Sequence, residues 1–301
     1  MILDAIDRTI VALLQKDGRL PLESIAAEVG LSRTATRARV ERLLGSGAMR
    51  ITAVVHPHAL GLSSFAHVSL ETAGPAYPVA RHVAEMEEAP FVSVIAGSHS
   101  VMAELRCHDL DALVATISRI GGLPDVLSVD TLHYTRIIKD SHFPLGVVEE
   151  VSLDGLERRI VALLQEDGRI SFSDLGRQID LSAGAARQRV VRLIERGVIH
   201  VGAMVNGGMV GLNKMIGLEV SFVAGEEAQA AGMKLLADQP RIDYLATCLG
   251  RCDAVATIVA SSDEEAVAAL ESVRALPGVR IRGTWTHLDL VKERYPDPAF
   301  P

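Results

Sequence analysis

Residues 4–62 of this chain return without a gap as residues 154–212, and 24 of the 59 paired positions are identical. The run Ile10–Gln15 is repeated letter for letter as Ile160–Gln165. A fixed-offset repeat of this length means two copies of one folded module. The 301 residues therefore divide into two halves. Each half is long enough to bury on the order of two-thirds of its unfolded surface. No apolar run approaches the roughly 18 residues of a membrane span. The start, Met1-Ile2-Leu3-Asp4, lacks the basic and apolar regions of a secretory signal. Three cysteines, Cys107, Cys248 and Cys252, are too few and too irregular for a disulfide framework. These features predict a cytoplasmic protein.

The repeated module reads as three helices. Asp4 is a candidate N-cap, with Asp7 three residues on and Ile6, Ile10, Leu13 and Leu14 on one stripe. Asp17-Gly18 ends that helix. A short helix over 21–29 follows, closed by Gly30. Ser32 then caps a third helix whose inward positions are Thr36, Val40, Leu43 and Leu44. Helix, short helix, glycine turn and basic helix is the helix-turn-helix order. The residues from Ala48 to His56 alternate enough for one or two short strands, a wing. His56-Pro57-His58 falls in the connection that follows and is expected to be an exposed loop.

Net charge is −8, which argues at first against nucleic acid. Its distribution argues the other way. Residues 1–50 carry 8 basic and 6 acidic side chains, and residues 151–200 carry 8 and 7. The rest of the chain holds the acidic excess. A local basic helix can bind phosphates while an acidic remainder limits indiscriminate binding. Arg33, Thr34 and Arg37 lie on the outer side of the third helix near its N-terminus, as do Arg187 and Gln188 in the second copy. These positions of a helix-turn-helix reach base edges. Arg39, Arg42, Arg189 and Arg192 lie further along and are expected to hold backbone phosphates. Arg33 has become Ala183, and the turn glycine Gly30 has become Asp180. The second copy is expected to bind DNA more weakly or to read a different half-site.

The remainder of each half reads β-α-β-β-α-β. In the first half the strands fall near 64–72, 91–97, 101–107 and 126–138, with helices over 76–88 and 109–120. In the second half they fall near 214–223, 242–249, 254–260 and 279–292, with helices over 226–238 and 263–275. This is the ferredoxin-like split unit. Both helices cover one sheet face, so the other face needs a second sheet, from the other half or from another chain.

Together the motifs resemble the Lrp/AsnC (feast/famine) transcriptional regulators. The match runs through Leu31-Ser32, Arg39-Val40, Arg42-Leu43, Gly47, Gly97, Leu123-Pro124 and Thr131. It runs again through Leu181-Ser182, Arg189-Val190, Arg192-Leu193, Gly197, Gly250 to Asp253, Leu276-Pro277-Gly278 and Thr284. The resemblance implies an α+β chain with two winged helix-turn-helix domains and two ferredoxin-like (RAM/AsnC-type) effector domains in tandem, over 1–56, 62–142, 151–206 and 212–295. It implies double-stranded DNA as partner, a small effector of amino-acid type, and a homo-oligomer assembled through the ferredoxin-like domains. It places the effector at the loops joining the middle strands: Gly97, Ser98, His99 and Ser100 in one copy, and Gly250, Arg251, Cys252 and Asp253 in the other. The first copy lacks the loop acid, which bears against amino-acid binding there.

An enzyme, a cofactor or a metal centre is not expected. Cys248 and Cys252 do not resemble a zinc knuckle, and no phosphate loop or nucleophile elbow occurs. One enzyme alternative shares this fold: the sirohaem decarboxylases, which also occur as paired or fused copies. Their strands carry histidine, arginine and aromatic residues. Here His67 is the sole candidate on the first strands, and Trp285 is the one tryptophan. The acidic, Pro-containing end from Tyr295 to Pro298 is expected to be a short exposed tail.

Overall fold

A computed structural model describes residues 3–140, 153–205 and 214–293. The elements fall close to the sequence reading, but the two copies are interleaved. One compact unit contains both helix-turn-helix copies and the other contains both αβ copies.

The helix-turn-helix unit holds α1 (Ala5–Lys16), α2 (Leu22–Val29), α3 (Arg33–Gly45) and β1 (Met49–Val55). Their counterparts are α6 (Gly155–Glu166), α7 (Phe172–Gln178), α8 (Ala183–Glu195) and β6 (Ile199–Val205). The ends are set by local chemistry. Asp4 and Asp7 form a reciprocal capping box on α1, as Asp154 and Glu157 do on α6. Ser32 and Ser182 each accept the N–H three residues on, at 3.2 Å, and so start α3 and α8. Gly30 ends α2 in the left-handed region at φ +66°, and Asp180 adopts the same conformation at φ +60°. Asp is one of the few side chains that tolerate it.

The wing expectation is corrected here. Each copy contributes one strand, and the two strands pair with each other. β1 and β6 run antiparallel, with Thr52 opposite Gly202. Those two residues are also repeat equivalents, so the pseudo-twofold axis passes between them. The Gly18 N–H donates to the Val201 carbonyl at 2.8 Å, and Gly168 donates to Ile51 at 3.0 Å. Arg19 donates across the seam to the Gly168 and Ile170 carbonyls, and Arg169 donates to Leu20. One continuous core joins Ile10, Leu14, Ile25 and Leu43 to Ile160, Leu164, Leu175 and Leu193. Among the described residues neither copy has a wing of its own, because the edge that a hairpin would have covered is covered by its twin. The loop expectation for His56-Pro57-His58 is also corrected. His56 and Pro57 are buried, Pro57 opens a 3-10 turn through Leu60, and only His58 is exposed.

The αβ unit holds β2 (Ser64–Thr72), α4 (Ala76–Ala84), β3 (Phe91–Ala96), β4 (Val101–Cys107), α5 (Leu110–Gly121) and β5 (Val126–Asp140). The second copy holds β7 (Lys214–Phe222), α9 (Glu226–Ala237), β8 (Ile242–Leu249), β9 (Ala254–Ala260), α10 (Asp263–Arg274) and β10 (Val279–Glu293). The strands close into an eight-stranded barrel, β10-β3-β4-β2-β5-β8-β9-β7. The halves are stitched together by β5 on β8 and by β10 on β3. Sheet pairing thus occurs within one chain. Ala66, Val68, Leu70, Val101, Ala103 and Leu105 pack under α4 and α5, and Leu218, Val220, Ala254, Ala256 and Ile258 pack under α9 and α10. By the two-residue period of a strand, the intervening residues turn inward. They include His67, Ser69, Glu104 and Arg106, all buried.

Candidate DNA-reading surface and effector junction

On α3 the exposed positions are Arg33, Thr34, Arg37, Ala38, Glu41, Arg42 and Gly45; on α8 they are Ala183, Gly184, Arg187, Gln188, Arg192, Ile194 and Glu195. Thr36, Val40 and Leu43, like Ala186, Val190 and Leu193, are buried. The outer face of α8 includes an open hollow lined by Gly184, Arg187, Gln188, Val191, Arg192 and Glu195. Arg37, Arg187 and Arg192 make no ion pair with the described residues. Arg33 is held by Glu23 of α2 at 2.9 Å, with both side chains exposed.

Three of the four expected phosphate holders have partners inside the fold. Arg39 reaches Asp4 at 2.6 Å and Asp7 at 2.8 Å, and Arg42 reaches both oxygens of Asp7 at 2.7 Å. Asp7 is 1 % exposed, so these arginines neutralise a carboxylate that also caps α1. The Asp7 N–H and the Arg39 guanidinium hold the Asp4 carboxyl below its usual range. In the second copy Arg189 reaches Asp154 at 2.8 Å.

In the αβ unit the two loops named from the sequence meet on one acid. His99 Nε2 lies 2.9 Å from Asp130 Oδ2 on β5, and Arg251 Nη1 lies 3.6 Å from the same oxygen. Arg251 also donates through Nε and Nη2 to Glu219 Oε1 on β7, at 3.0 and 2.6 Å. Gly97 lies against Trp285 of β10, and Gly250, at φ +144°, lies against Leu132 of β5. Each loop is therefore seated on the other copy's long strand. The Asp253 carboxylate accepts the Phe222 N–H at 2.8 Å, which anchors the turn to β7. Ser98 bonds His99 Nδ1 at 3.1 Å, and the Ser100 N–H donates to the Leu70 carbonyl at 2.9 Å.

Beneath the loops the barrel interior is polar. His67 Nε2 is 2.9 Å from Ser69 Oγ, and its ring centroid is 5.0 Å from that of Trp285. The Trp285 indole donates to His287 Nε2 at 3.0 Å, and Phe91 meets His287 edge-on. The indole occupies the space that a side chain at Gly217 would need. Burial lowers His67 to about 3 and His287 to about 4. Both imidazoles are therefore neutral near pH 7, and the Nδ1 atom of each has no hydrogen-bond partner among the described residues. Elsewhere in the barrel, Arg106 Nε donates to Glu104 at 2.6 Å, beside Tyr134 and Tyr244, whose phenols burial pushes up.

Asp130, Glu219, Ser69 and His287 were not singled out from the sequence. Their signal was faint: a polar residue at every second position of an otherwise apolar strand, meaningful only once the facing sheet is known.

Two helix-turn-helix copies and a closed barrel of two αβ copies, all in one chain, define a tandem helix-turn-helix and ferredoxin-like class of protein. The AsnC-type helix-turn-helix domain matches residues 3–44 and 153–194, and the Lrp/AsnC ligand binding domain matches residues 63–142. HTH-type transcriptional regulator FL11 of Pyrococcus abyssi is 33% identical over 141 residues, 46% of this chain and 93% of that protein. Its namesake from Pyrococcus furiosus is 30% identical over 142 residues, 46% of this chain and 94% of that protein. The chain belongs to the Lrp/AsnC family of transcriptional regulators, in tandem form. Its fold is also shared, over 96% of its length and 93% of the other's, with the crystal structure of the siroheme decarboxylase NirDL, at a TM-score of 0.64 and 17% identity. No described helix is long and apolar enough to cross a membrane.

Proposed function

We propose that this regulator reads an operator with α3 and α8 and that a small zwitterionic effector, an amino acid or close analogue, binds at the loop junction and shifts that reading. The observation that carries it is the convergence of His99 and Arg251, from different copies, on Asp130. Arg251 offers a guanidinium to a carboxylate, and Asp130 and Glu219 offer carboxylates to an ammonium group. The resting ion pairs satisfy these groups until a ligand exchanges with them. The effector acts only by binding one arrangement of the chain more tightly than another. Arg33, Thr34, Arg37, Arg187 and Gln188 serve base edges; Arg192 and the half-exposed Arg42 and Arg189 serve phosphates. Arg39, 28% exposed and bonded to two carboxylates, positions α3 on α1. The same reading places the protein in the cytoplasm. It also has chains assemble through the αβ units, where α5 exposes Leu110 and Val114.

Fluorescence anisotropy on the DNA upstream of its own gene, against random DNA at fixed salt, tests the first part. A panel of amino acids then tests the second. The reading expects one or more to change affinity in the parent and not in Arg251→Ala or Asp130→Asn. Equal binding to both DNAs would overturn the operator reading, and an amino-acid shift that survives both substitutions would overturn the site.

The barrel interior favours a second reading, a tetrapyrrole enzyme like the siroheme decarboxylases. His67, Trp285 and His287 come together there, with two Nδ1 atoms unpaired among the described residues. Against it, an anionic macrocycle needs free cations, and both Arg106 and Arg251 are engaged by glutamates. Sirohaem titrated into the protein decides between them: a stoichiometric absorption shift lost in His67→Ala would favour the enzyme.

A further inference from the structure

The end of β8 and the turn that follows it carry one thiol each, neither matched by a thiol in the first copy. Cys248 and Cys252 lie with their sulfurs 3.7 Å apart, and Cys248 Sγ also lies 3.4 Å from the Cys252 carbonyl. At the offset of 153 their counterparts in the first copy are Ile95 and His99, so the pairing is not something the fold requires. The third cysteine, Cys107, is on β4 beside Thr116. We propose that Cys248 and Cys252 form a redox-modifiable dithiol, oxidised by hydroperoxides to an intramolecular disulfide that reshapes the turn bearing Arg251.

Three features support this. The sulfurs already touch, so a disulfide needs their approach to covalent distance, about 2 Å, and no rearrangement of the strands. Both thiols are reduced here and neither has another sulfur partner. The pair is also chemically unequal. The contact between the sulfurs, with burial, pushes Cys248 up, and the same contact lowers Cys252, which makes Cys252 the better nucleophile. Cys252 itself is buried, but it follows exposed Gly250 and Arg251 in the turn, within reach of a small oxidant.

The chemistry balances in two steps. The Cys252 thiolate attacks one peroxide oxygen, the O–O bond breaks, and hydroxide leaves, giving a sulfenic acid. The Cys248 sulfur then attacks that sulfur, its proton and the sulfenic hydroxyl leave as water, and the S–S bond forms. Two thiols are oxidised by two electrons, and one hydroperoxide is reduced to water and, for an organic peroxide, the alcohol. The consequence falls on Arg251, between the two cysteines, whose guanidinium bridges Glu219 and Asp130. Drawing the sulfurs together moves the segment that holds this bridge. The modification itself does not depend on an effector binding there.

Trypsin makes the test direct, because cleavage after Arg251 separates the two cysteines. Full-length protein is treated with hydrogen peroxide, alkylated, digested without reductant and analysed by mass spectrometry. The expected product is peptide 242–251 linked to peptide 252–274, converted back by dithiothreitol. Phenylarsine oxide, which bridges adjacent thiols, should bind one equivalent of reduced unmodified protein and none after oxidation. Cys107→Ser should retain both results and Cys252→Ser should lose both. Alkylated Cys248 and Cys252 after oxidation, a link through Cys107, or failure of the arsenical to bind the parent protein would each overturn the proposal; the last needs no variant to fold.

Discussion

Asp7 shows how much one side chain can carry. It caps α1, and its buried carboxylate receives Arg39 and Arg42. Its equivalent Glu157 caps α6 but is reached by neither Arg189 nor Arg192. Asp7→Ala is expected to cost about 1–2 kcal/mol, from the lost half of the capping box and three charge-assisted bonds. Glu157→Ala should cost under about 1 kcal/mol, from the cap alone. Urea melts of the two variants check the order; equal losses would show that the arginines add nothing. The buried imidazoles give a pH dependence of known sign. His67 and His287 titrate near 6.5 when unfolded, and at about 3 and about 4 when folded. Above 6.5 neither state binds the proton and stability is complete. Below it the unfolded chain takes up protons that the folded chain refuses, so stability falls by about 1 kcal/mol per pH unit for each imidazole. It goes on falling until the folded values are reached. His67→Asn should roughly halve that slope in melts between pH 6.5 and 4.5, and an unaltered slope would show that His67 is not the group responsible. Such residues were half legible in the sequence. His67 stood out as a lone histidine on an apolar strand, whereas Asp130 looked like any strand-surface acid until the opposite loops closed on it.

The helices and strands themselves were legible almost throughout, because caps, glycine stops and period are local signals. Ser32, Gly30 and Asp4 mark their ends in the sequence and in the fold. What the sequence did not reveal was pairing. The segment after α3 read as a wing because alternation announces a strand but not its neighbour. The neighbour proved to be β6, and close backbone approach at the seam is what makes that pairing possible. A Cβ at Gly168 would stand 2.9 Å from the Ile51 backbone, which cannot withdraw without breaking the β1–β6 ladder. Gly168→Ala is expected to destabilise the helix-turn-helix unit by about 1–3 kcal/mol through this overpacking. Gly184, in the first turn of α8 with open space around its Cα, provides the opposite case. Gly184→Ala should stabilise the same unit by up to about 0.5 kcal/mol, less than the helix-interior difference because the site is in the first turn. Thermal melts of the pair give the test. A neutral Gly168→Ala would mean that the seam yields more easily than its backbone contacts imply.

A chain that contains both copies is freed from the identity that a homodimer imposes on its half-sites, and the two copies have used that freedom. The seam keeps its pseudo-twofold register, and the barrel closes through β5 on β8 and β10 on β3 as two equal chains would close it. The reading faces have diverged within this preserved frame. α3 offers Arg33, Thr34 and Arg37, with Glu23 holding Arg33; α8 offers Ala183, Gly184, Arg187 and Gln188. Arginine favours guanine and glutamine favours adenine in the major groove, so an operator matched to this chain should not be a palindrome. Its half-sites should share the base read by Arg37 and Arg187 and differ at the position read by Arg33. Arg33→Ala is expected to cost about 1–3 kcal/mol and to relax base preference in one half-site only, while Gln188→Ala relaxes the other. Binding measured on operators substituted base by base would establish this. If both variants relaxed the same positions, or if a perfect palindrome bound more tightly than the natural operator, the two copies would be reading DNA as equivalents and their sequence divergence would lie outside recognition.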